Sequence, residues 1–307
     1  MKVTFIAFFI YFIFDKLVSI EQAIYIIKKA NHLWILLAFC LGIINIYLQY
    51  KRWHIITRVA FHINDKKVAL KSLLIGLSGG VITPMRIGEI VGRNMLYPKV
   101  DIFTLGFASY IDKLFPLVLT LIVGFISANI FINMHYNLPD YINFIADTIY
   151  ILILMFLITL IFNKKLFKYV IHKISYFSKF HNIINNTKYF KSVRVKTILW
   201  ILFLTILYYI CLISQYAILV MAFSHVYNIF DFMFVGTILF FVLSISSPLT
   251  ISGLGVREIT SIYILSKFNI SNEAAFNASV YLFIINILLP AIVGLVLFLN
   301  HKRDANV

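Results

Sequence analysis

Charged residues are scarce in this sequence, at 13% of 307 residues, and acids are scarcest, with 12 Asp and Glu against 27 Lys and Arg. This charged fraction excludes an ordinary soluble domain, in which about a quarter of the residues are charged. Hydrophobic residues make up 62% of the chain, and mean hydropathy is +0.94. The sequence therefore predicts a membrane protein, with no room for a sizeable soluble domain between its apolar runs.

Cysteine is almost absent as well. Cys40 and Cys211 both lie in apolar segments and lack the spacing of a disulfide framework or a zinc site, so we interpret them as packing residues. The eight histidines are scattered without metal-binding spacing, and no nucleotide-binding P-loop is present. We expect neither a cofactor nor a bound metal.

The basic residues have a topological explanation. A formal net charge of +15 is compatible with nucleic-acid binding, but Lys and Arg sit mainly in short loops between apolar runs. They do not gather on one amphipathic face, as a nucleic-acid surface requires. We therefore expect no nucleic-acid partner.

Apolar stretches long enough to cross a hydrocarbon core of about 30 Å recur along the chain. Lys2 and the apolar stretch after it resemble a signal peptide, but no small-residue cleavage site precedes Asp15, which favours an uncleaved first helix. We predict one all-α transmembrane domain over residues 1–307. Its full spans are predicted at about 3–20, 32–50, 103–132, 143–162, 197–223 and 277–299.

The orientation follows from the distribution of positive charge. The segment 163–196 carries nine Lys or Arg and no acid, whereas 133–142 and 224–231 carry neither Lys nor Arg. Because basic loops stay inside, we predict that 163–196 and both termini are cytoplasmic, in a bacterial inner membrane. The loop after the second span is predicted to be cytoplasmic too, with Lys51, Arg52, Arg58, Lys66, Lys67 and Lys71.

This orientation forces two segments, 72–98 and 232–268, to begin and end on the same side of the membrane. Both contain helix breakers, among them Pro84 and Pro248. Interrupted backbone is tolerated at membrane depth only where protein or a water-filled cavity satisfies it. We predict two opposed re-entrant helical hairpins around a central cavity, an arrangement that also suggests an inverted repeat.

Each hairpin pairs helix breakers with arginine and glutamate, which are costly inside a bilayer and usually mark a pathway. If a helix restarts after Pro84, then Arg86, Glu89 and Arg93 share one face, and the helix N-terminus with Arg86 forms an anion site suited to a lipid phosphate. The alternative is that the charges form internal ion pairs that only fix the hairpin. The candidate residues are Thr83, Pro84, Arg86, Glu89, Arg93, Gly253, Gly255, Arg257 and Glu258.

Two further features stay open at this point. Asp112 and Lys113 either pair with a hairpin charge or lie at the cytoplasmic interface, with Lys113 extending toward water. Trp53, beside Arg52, has the character of an interfacial anchor, and we assign it no transport role.

These landmarks together resemble the transmembrane region of lysylphosphatidylglycerol synthases, the flippase-like family that includes the membrane half of the multiple peptide resistance factor. The resemblance spans nearly the whole chain. The pair Asp112 and Lys113 departs from the Glu and Arg pair of the family, which keeps the charge signs but loses the planar guanidinium. The matching positions are Arg52, Trp53, Thr83, Pro84, Arg86, Gly88, Glu89, Arg93, Gly253, Gly255, Arg257 and Glu258.

The resemblance implies a lipid flippase, which in some members moves an aminoacylated phosphatidylglycerol made by a fused synthase. We expect no synthase domain in this chain and hence no such enzyme activity. Other relatives are associated with hopanoids and polyprenyl-linked glycans, so the lipid stays open, as do a separate lipid-modifying enzyme and a homo-oligomer as partners. The alternative functions are a membrane-embedded glycosyltransferase or lipid-modifying enzyme, and a non-transporting membrane subunit.

Overall fold

The computed structural model describes residues 20–83, 86–136, 195–246 and 253–304, together with isolated positions between 139 and 155. Regular structure in these residues is helical, with no strand, which confirms the all-α prediction. The helices are α1 (Ile20–Lys29), α2 (His32–Phe61), α3 (Lys66–Ile82), α4 (Ile87–Asn94), α5 (Ile102–His135), α6 (Val195–Ser224), α7 (Ile229–Ser246), α8 (Val256–Ser266), α9 (Asn272–Phe283), a π-helical turn (Ile284–Leu288) and α10 (Leu289–Asp304).

Five helices in the described part of the chain are long and apolar enough to cross a membrane: α2, α5, α6, α7 and the continuous stretch Asn272–Asn300. Four of them match the predicted spans 32–50, 103–132, 197–223 and 277–299. The predicted span 3–20, nearly all of the basic loop 163–196 and most of the span 143–162 lie outside the described residues. The chain is a multi-pass membrane protein.

The second span is longer than predicted. Helix α2 continues to Phe61, so Lys51, Arg52 and Arg58 belong to the helix and not to a cytoplasmic loop. The prediction ended the span at residue 50 because the apolar run stops there, yet no proline or glycine follows to break the helix before Phe61. At about 1.5 Å per residue, its 30 residues reach about 45 Å, more than the hydrocarbon core requires.

The predicted hairpin 72–98 is a pair of antiparallel helices, α3 and α4. Glycine allows their backbones to touch: a Cβ on Gly79 would overlap the carbonyl of Gly88, and one on Gly92 would lie 2.6 Å from the carbonyl oxygen of Ile75. Small residues at such contacts are typical of helix packing in membranes. The re-entrant placement of this pair in a bilayer stays a prediction.

The second predicted hairpin, 232–268, contains α7 and α8. Gly253 and Gly255 precede α8 with φ angles of 74° and 84°, a backbone region that only glycine enters without strain. Helix α7 is by itself long enough to cross a membrane. The hairpin interpretation, and with it the inverted repeat, stays a prediction.

Three long helices are joined near their middles by a triad of amides: the buried Asn45 on α2 and Gln215 on α6, and the partly buried Asn286 in the π-helical turn. Oε1 of Gln215 accepts from Nδ2 of Asn45 at 2.9 Å and from Nδ2 of Asn286 at 2.7 Å. Nε2 of Gln215 donates to the carbonyl of Ala38 at 2.9 Å. Because lipid offers no competing partners, these hydrogen bonds fix how the three helices align.

The glycine contact between α3 and α4 yields the first test. We expect Gly88→Ala to lower the free energy of unfolding by about 3 kcal/mol, because the new methyl group overlaps the Gly79 carbonyl and only backbone movement relieves it. Gly106→Ala on α5 is the matched control, since its Cβ meets only Ile90 at 3.6 Å, an ordinary contact. It should change stability by less than about 1 kcal/mol.

Unfolding of both variants in mixed micelles measures the difference. Equal stability of Gly88→Ala and Gly106→Ala would show that α3 and α4 do not pack backbone against backbone.

Candidate functional site

Six ionised side chains from three parts of the chain meet in one network, which we name the charge cluster. Its members are Arg52 on α2, Arg86 at the tip between α3 and α4, Glu89 and Arg93 on α4, and Asp112 and Lys113 on α5.

The inner part of the charge cluster is built on Asp112. Its Oδ1 accepts from Nε of Arg52 at 2.6 Å, and its Oδ2 accepts from Nη2 of Arg93 at 3.1 Å. The same Nη2 donates to Oε1 of Glu89 at 2.7 Å. These four side chains are at most 4% exposed, so their charges are compensated by one another and not by water.

The outer part is built on Glu89. Nζ of Lys113 lies 2.9 Å from Oε1 of Glu89, and Nε of Arg86 lies 3.2 Å from its Oε2. Arg86 and Lys113 are 34% and 36% exposed, whereas Glu89 is 4% exposed. The charge cluster thus has a closed inner end and an open outer end, and both residues at the open end are cations.

The structure decides the open question about Asp112 and Lys113, since both pair with hairpin charges. Asp112 lies ten residues after the first residue of α5, about 15 Å along the helix. Arg52 lies nine residues before the last residue of α2.

Pro116 follows one turn after Asp112, and its ring removes a backbone hydrogen bond beside the charge cluster.

Trp53 supports the inner end, and its prediction as an interfacial anchor is wrong. The side chain is fully buried, its Nε1 donates to Oγ of Ser72 at 2.8 Å, and the guanidinium of Arg93 lies 4.0 Å from the ring centre. A cation over an indole face is attracted by the ring quadrupole, most strongly where water is excluded. Trp53 therefore positions Arg93 inside the protein.

The predicted restart of a helix after the tip is present at Ile87. Arg86 caps it in the left-handed region, with φ of 57°, and Pro84 lies outside the described residues. Oγ1 of Thr83 accepts from the Gly88 N–H at 2.8 Å, so the chain itself occupies part of this helix N-terminus. An anion at this end would therefore bind mainly the side chains of Arg86 and Lys113, and less the backbone N–H groups of the helix.

The series Gly253, Gly255, Arg257 and Glu258 forms a separate arrangement on α8. Oε2 of Glu258 accepts from the Gly255 N–H at 2.7 Å and thereby caps the helix. Arg257 lies 3.6 Å from Glu258 and stacks over the ring of Phe283 at 4.7 Å. These contacts hold the start of α8 against α9. A contact of Arg257 or Glu258 with substrate stays a prediction.

Arg52 is the member that sequence reasoning did not include among the site residues. The sequence marks it only as a landmark beside Trp53 and predicts it in the loop after the second span. An arginine within an uninterrupted helix, with an apolar run before it, is itself a signal of a buried partner. Its partner is 60 residues away, and no local pattern identifies that distance.

The fold and the charge cluster define a polytopic helical membrane protein with ionised side chains buried between its helices. The chain belongs to the family described as lysylphosphatidylglycerol synthase TM region, which matches residues 1–294. It is similar to UPF0104 membrane protein MJ1595 of Methanocaldococcus jannaschii, with 26% identity over 313 residues that cover 94% of this chain and 90% of the relative. No solved structure matches the chain.

The double pairing of Asp112 predicts a large effect on stability. We expect Asp112→Asn to lower the free energy of unfolding by about 3–5 kcal/mol, because it leaves two buried guanidinium groups without their shared countercharge. Asp101→Asn is the matched control on the same helix, at an exposed N-cap where asparagine serves as well as aspartate.

Unfolding in mixed micelles, followed by circular dichroism, compares the two variants. If Asp112→Asn is as stable as Asp101→Asn, the charges of Arg52 and Arg93 are compensated by something other than Asp112.

Proposed function

We propose that this protein moves a lipid with an anionic head group across the cytoplasmic membrane, and that the charge cluster receives the head group. The observation that carries the proposal is the open end, where Arg86 and Lys113 are about one-third exposed within a cluster of net positive charge. Partly exposed cations next to the buried, charge-balanced inner end can bind the oxygens of a phosphate. Membership of the family supports the proposal.

In this mechanism the phosphate oxygens bind Arg86 and Lys113, while the acyl chains stay in the surrounding lipid. Each cation then exchanges its contact with Glu89 for one with phosphate. Glu89 keeps its hydrogen bond to Arg93, so its own charge stays compensated. The exchange lowers the cost of taking a charged head group into a low-dielectric region, because fixed ionic groups replace the water it leaves.

The direction of movement follows from the proposed orientation, in which both termini and the segment 163–196 are cytoplasmic. The charge cluster is then nearer the cytoplasmic ends of α2 and α5. A head group would enter from the inner leaflet, supplied by a separate lipid-modifying enzyme or by the lipid pool itself. With no P-loop in the sequence, movement is driven by an ion gradient or runs downhill.

One sequence motif favours the enzyme alternative. The sequence GLSGG at residues 76–80 matches the hydrolase pattern GxSxG. That pattern requires a sharp turn between strand and helix that exposes the serine. Here Ser78 lies inside α3, is 8% exposed, and donates to the carbonyl of Ile75 at 2.7 Å. Ser78 is therefore not placed as a nucleophile of that pattern. Groups of three or more metal-ligating side chains are also absent from the described residues.

Removal of either cation at the open end tests the proposal. In liposomes with head-group-labelled lipids and an impermeant quencher, we expect Arg86→Gln or Lys113→Gln to slow lipid movement about tenfold or more. One charge-assisted hydrogen bond is worth about 1.5–3 kcal/mol. Because both side chains are partly exposed, the variants should remain folded.

Lys71→Gln is the control, since Lys71 is an exposed residue of α3 outside the charge cluster and loses the same charge. Wild-type rates in Arg86→Gln and Lys113→Gln would refute the site. Folded wild-type protein that moves no lipid would favour the enzyme or the non-transporting subunit.

A further inference from the structure

We infer that the charge cluster selects a doubly charged phosphate group, a phosphomonoester, over the singly charged phosphodiester of most phospholipids. The inference rests on the proposed function for its lipid setting, and it adds the chemical class of the head group. Two observations on the charge cluster support it. Cations outnumber carboxylates, and some hydrogen-bond donors have no acceptor.

The charge balance is uneven. The charge cluster contains four cations, Arg52, Arg86, Arg93 and Lys113, against two carboxylates, Glu89 and Asp112. Its net charge is therefore +2. The four buried side chains balance one another, so the excess lies on Arg86 and Lys113, the two partly exposed cations of the open end.

The donor balance is uneven in the same direction. Nη1 of Arg52 and Nε of Arg93 are buried and have no acceptor among the described residues, although the two side chains are 2% and 0% exposed. Buried guanidinium N–H groups are normally satisfied, and such exceptions often indicate a water or ion. Those two donors lie at the closed inner end. At the open end, Nε of Arg86 likewise has no hydrogen-bond acceptor among the described residues, although it lies 3.2 Å from Oε2 of Glu89, so the open end also has a donor to spare.

The open end has the geometry that a bridging anion requires. Arg86 and Lys113 both lie within 3.2 Å of Glu89 and approach different oxygens of its carboxylate. An anion that replaces Glu89 as the partner of both cations would therefore meet two positive groups. A phosphomonoester offers three terminal oxygens and a charge of about −1.5 to −2 at neutral pH, with a second pKa of about 6.

Other head groups do not neutralise the net charge of +2. A zwitterionic phosphocholine adds no net charge, and a phosphodiester such as that of phosphatidylglycerol neutralises only one of the two excess charges. A phosphomonoester neutralises both. The geometry therefore points to lipids such as phosphatidate or a polyprenyl phosphate, while a soluble phosphomonoester presents the same chemistry without the lipid.

Binding to the purified full chain in nanodiscs tests the charge class at pH 7.5. Labelled phosphatidate, phosphatidylglycerol and phosphatidylcholine are the lipid probes, and glycerol 3-phosphate is the soluble one. We expect phosphatidate to bind about tenfold more tightly than phosphatidylglycerol, and phosphatidylcholine to bind least. Glycerol 3-phosphate should compete only weakly, because it lacks the acyl chains.

Charge variants separate selection from a merely structural role. Arg86→Gln and Lys113→Gln each lower the net charge to +1, and we expect the preference for phosphatidate to fall to about threefold or less. The double variant should show none. Lys71→Gln, which removes an exposed charge outside the charge cluster, should keep the wild-type ratio. A ratio of affinities is insensitive to a general loss of folded protein.

The outcomes distinguish this inference from the proposed function. Equal binding of phosphatidate and phosphatidylglycerol, with both lipids moving across liposomes, would overturn the charge class and leave translocation standing. A clear preference for phosphatidate without movement of any lipid would support the charge class and overturn translocation. Tight binding of glycerol 3-phosphate, with no binding of phosphatidate, would overturn the lipid source.

Discussion

Two carboxylates, Glu89 and Asp112, hold four cations that come from three separate parts of the chain, and the site depends on this shared pairing. Asp112 binds Arg52 and Arg93 in full burial, which ties α2 and α4 to α5. Glu89 binds Arg93 on its inner side and leaves Arg86 and Lys113 at the open end. The same network therefore supplies both structural cohesion and exposed positive charge, two properties that separate ion pairs would not combine.

The glycine contacts of the hairpin make this pairing sterically feasible. A Cβ on Gly76 would lie 2.6 Å from Cγ of Arg93, so only glycine leaves the space that the arginine stem occupies on its way to Asp112. On the other side, the indole of Trp53 lies against the guanidinium. Arg93 thus packs between the backbone at Gly76 and the ring of Trp53, which explains how a long, flexible side chain keeps one position.

Local spacing predicted part of this site. Glu89 and Arg93 are four residues apart on one short helix, and that contact is present as spacing suggests. The pairing of Arg52 with Asp112 joins residues 60 positions apart, and no local pattern identifies that partner. The anchor prediction for Trp53 fails because an aromatic residue beside two basic ones has the same sequence pattern at a membrane surface and in a buried ionic site. No sequence pattern predicts the amide triad, because each of its members is a single polar residue in a long apolar run: Asn45, Gln215 and Asn286.

The π-helical turn at Ile284–Leu288 has a geometric consequence for the end of the chain. A π turn holds one residue more than an α turn, and each residue of an α-helix rotates the chain by about 100°. This added residue brings Asn286 toward Gln215 while Gly294, two turns later, packs directly on the backbone of Leu74. Without it, α10 would present a different face to α3. The rotation of the last helix against α3 is therefore set by a single inserted residue.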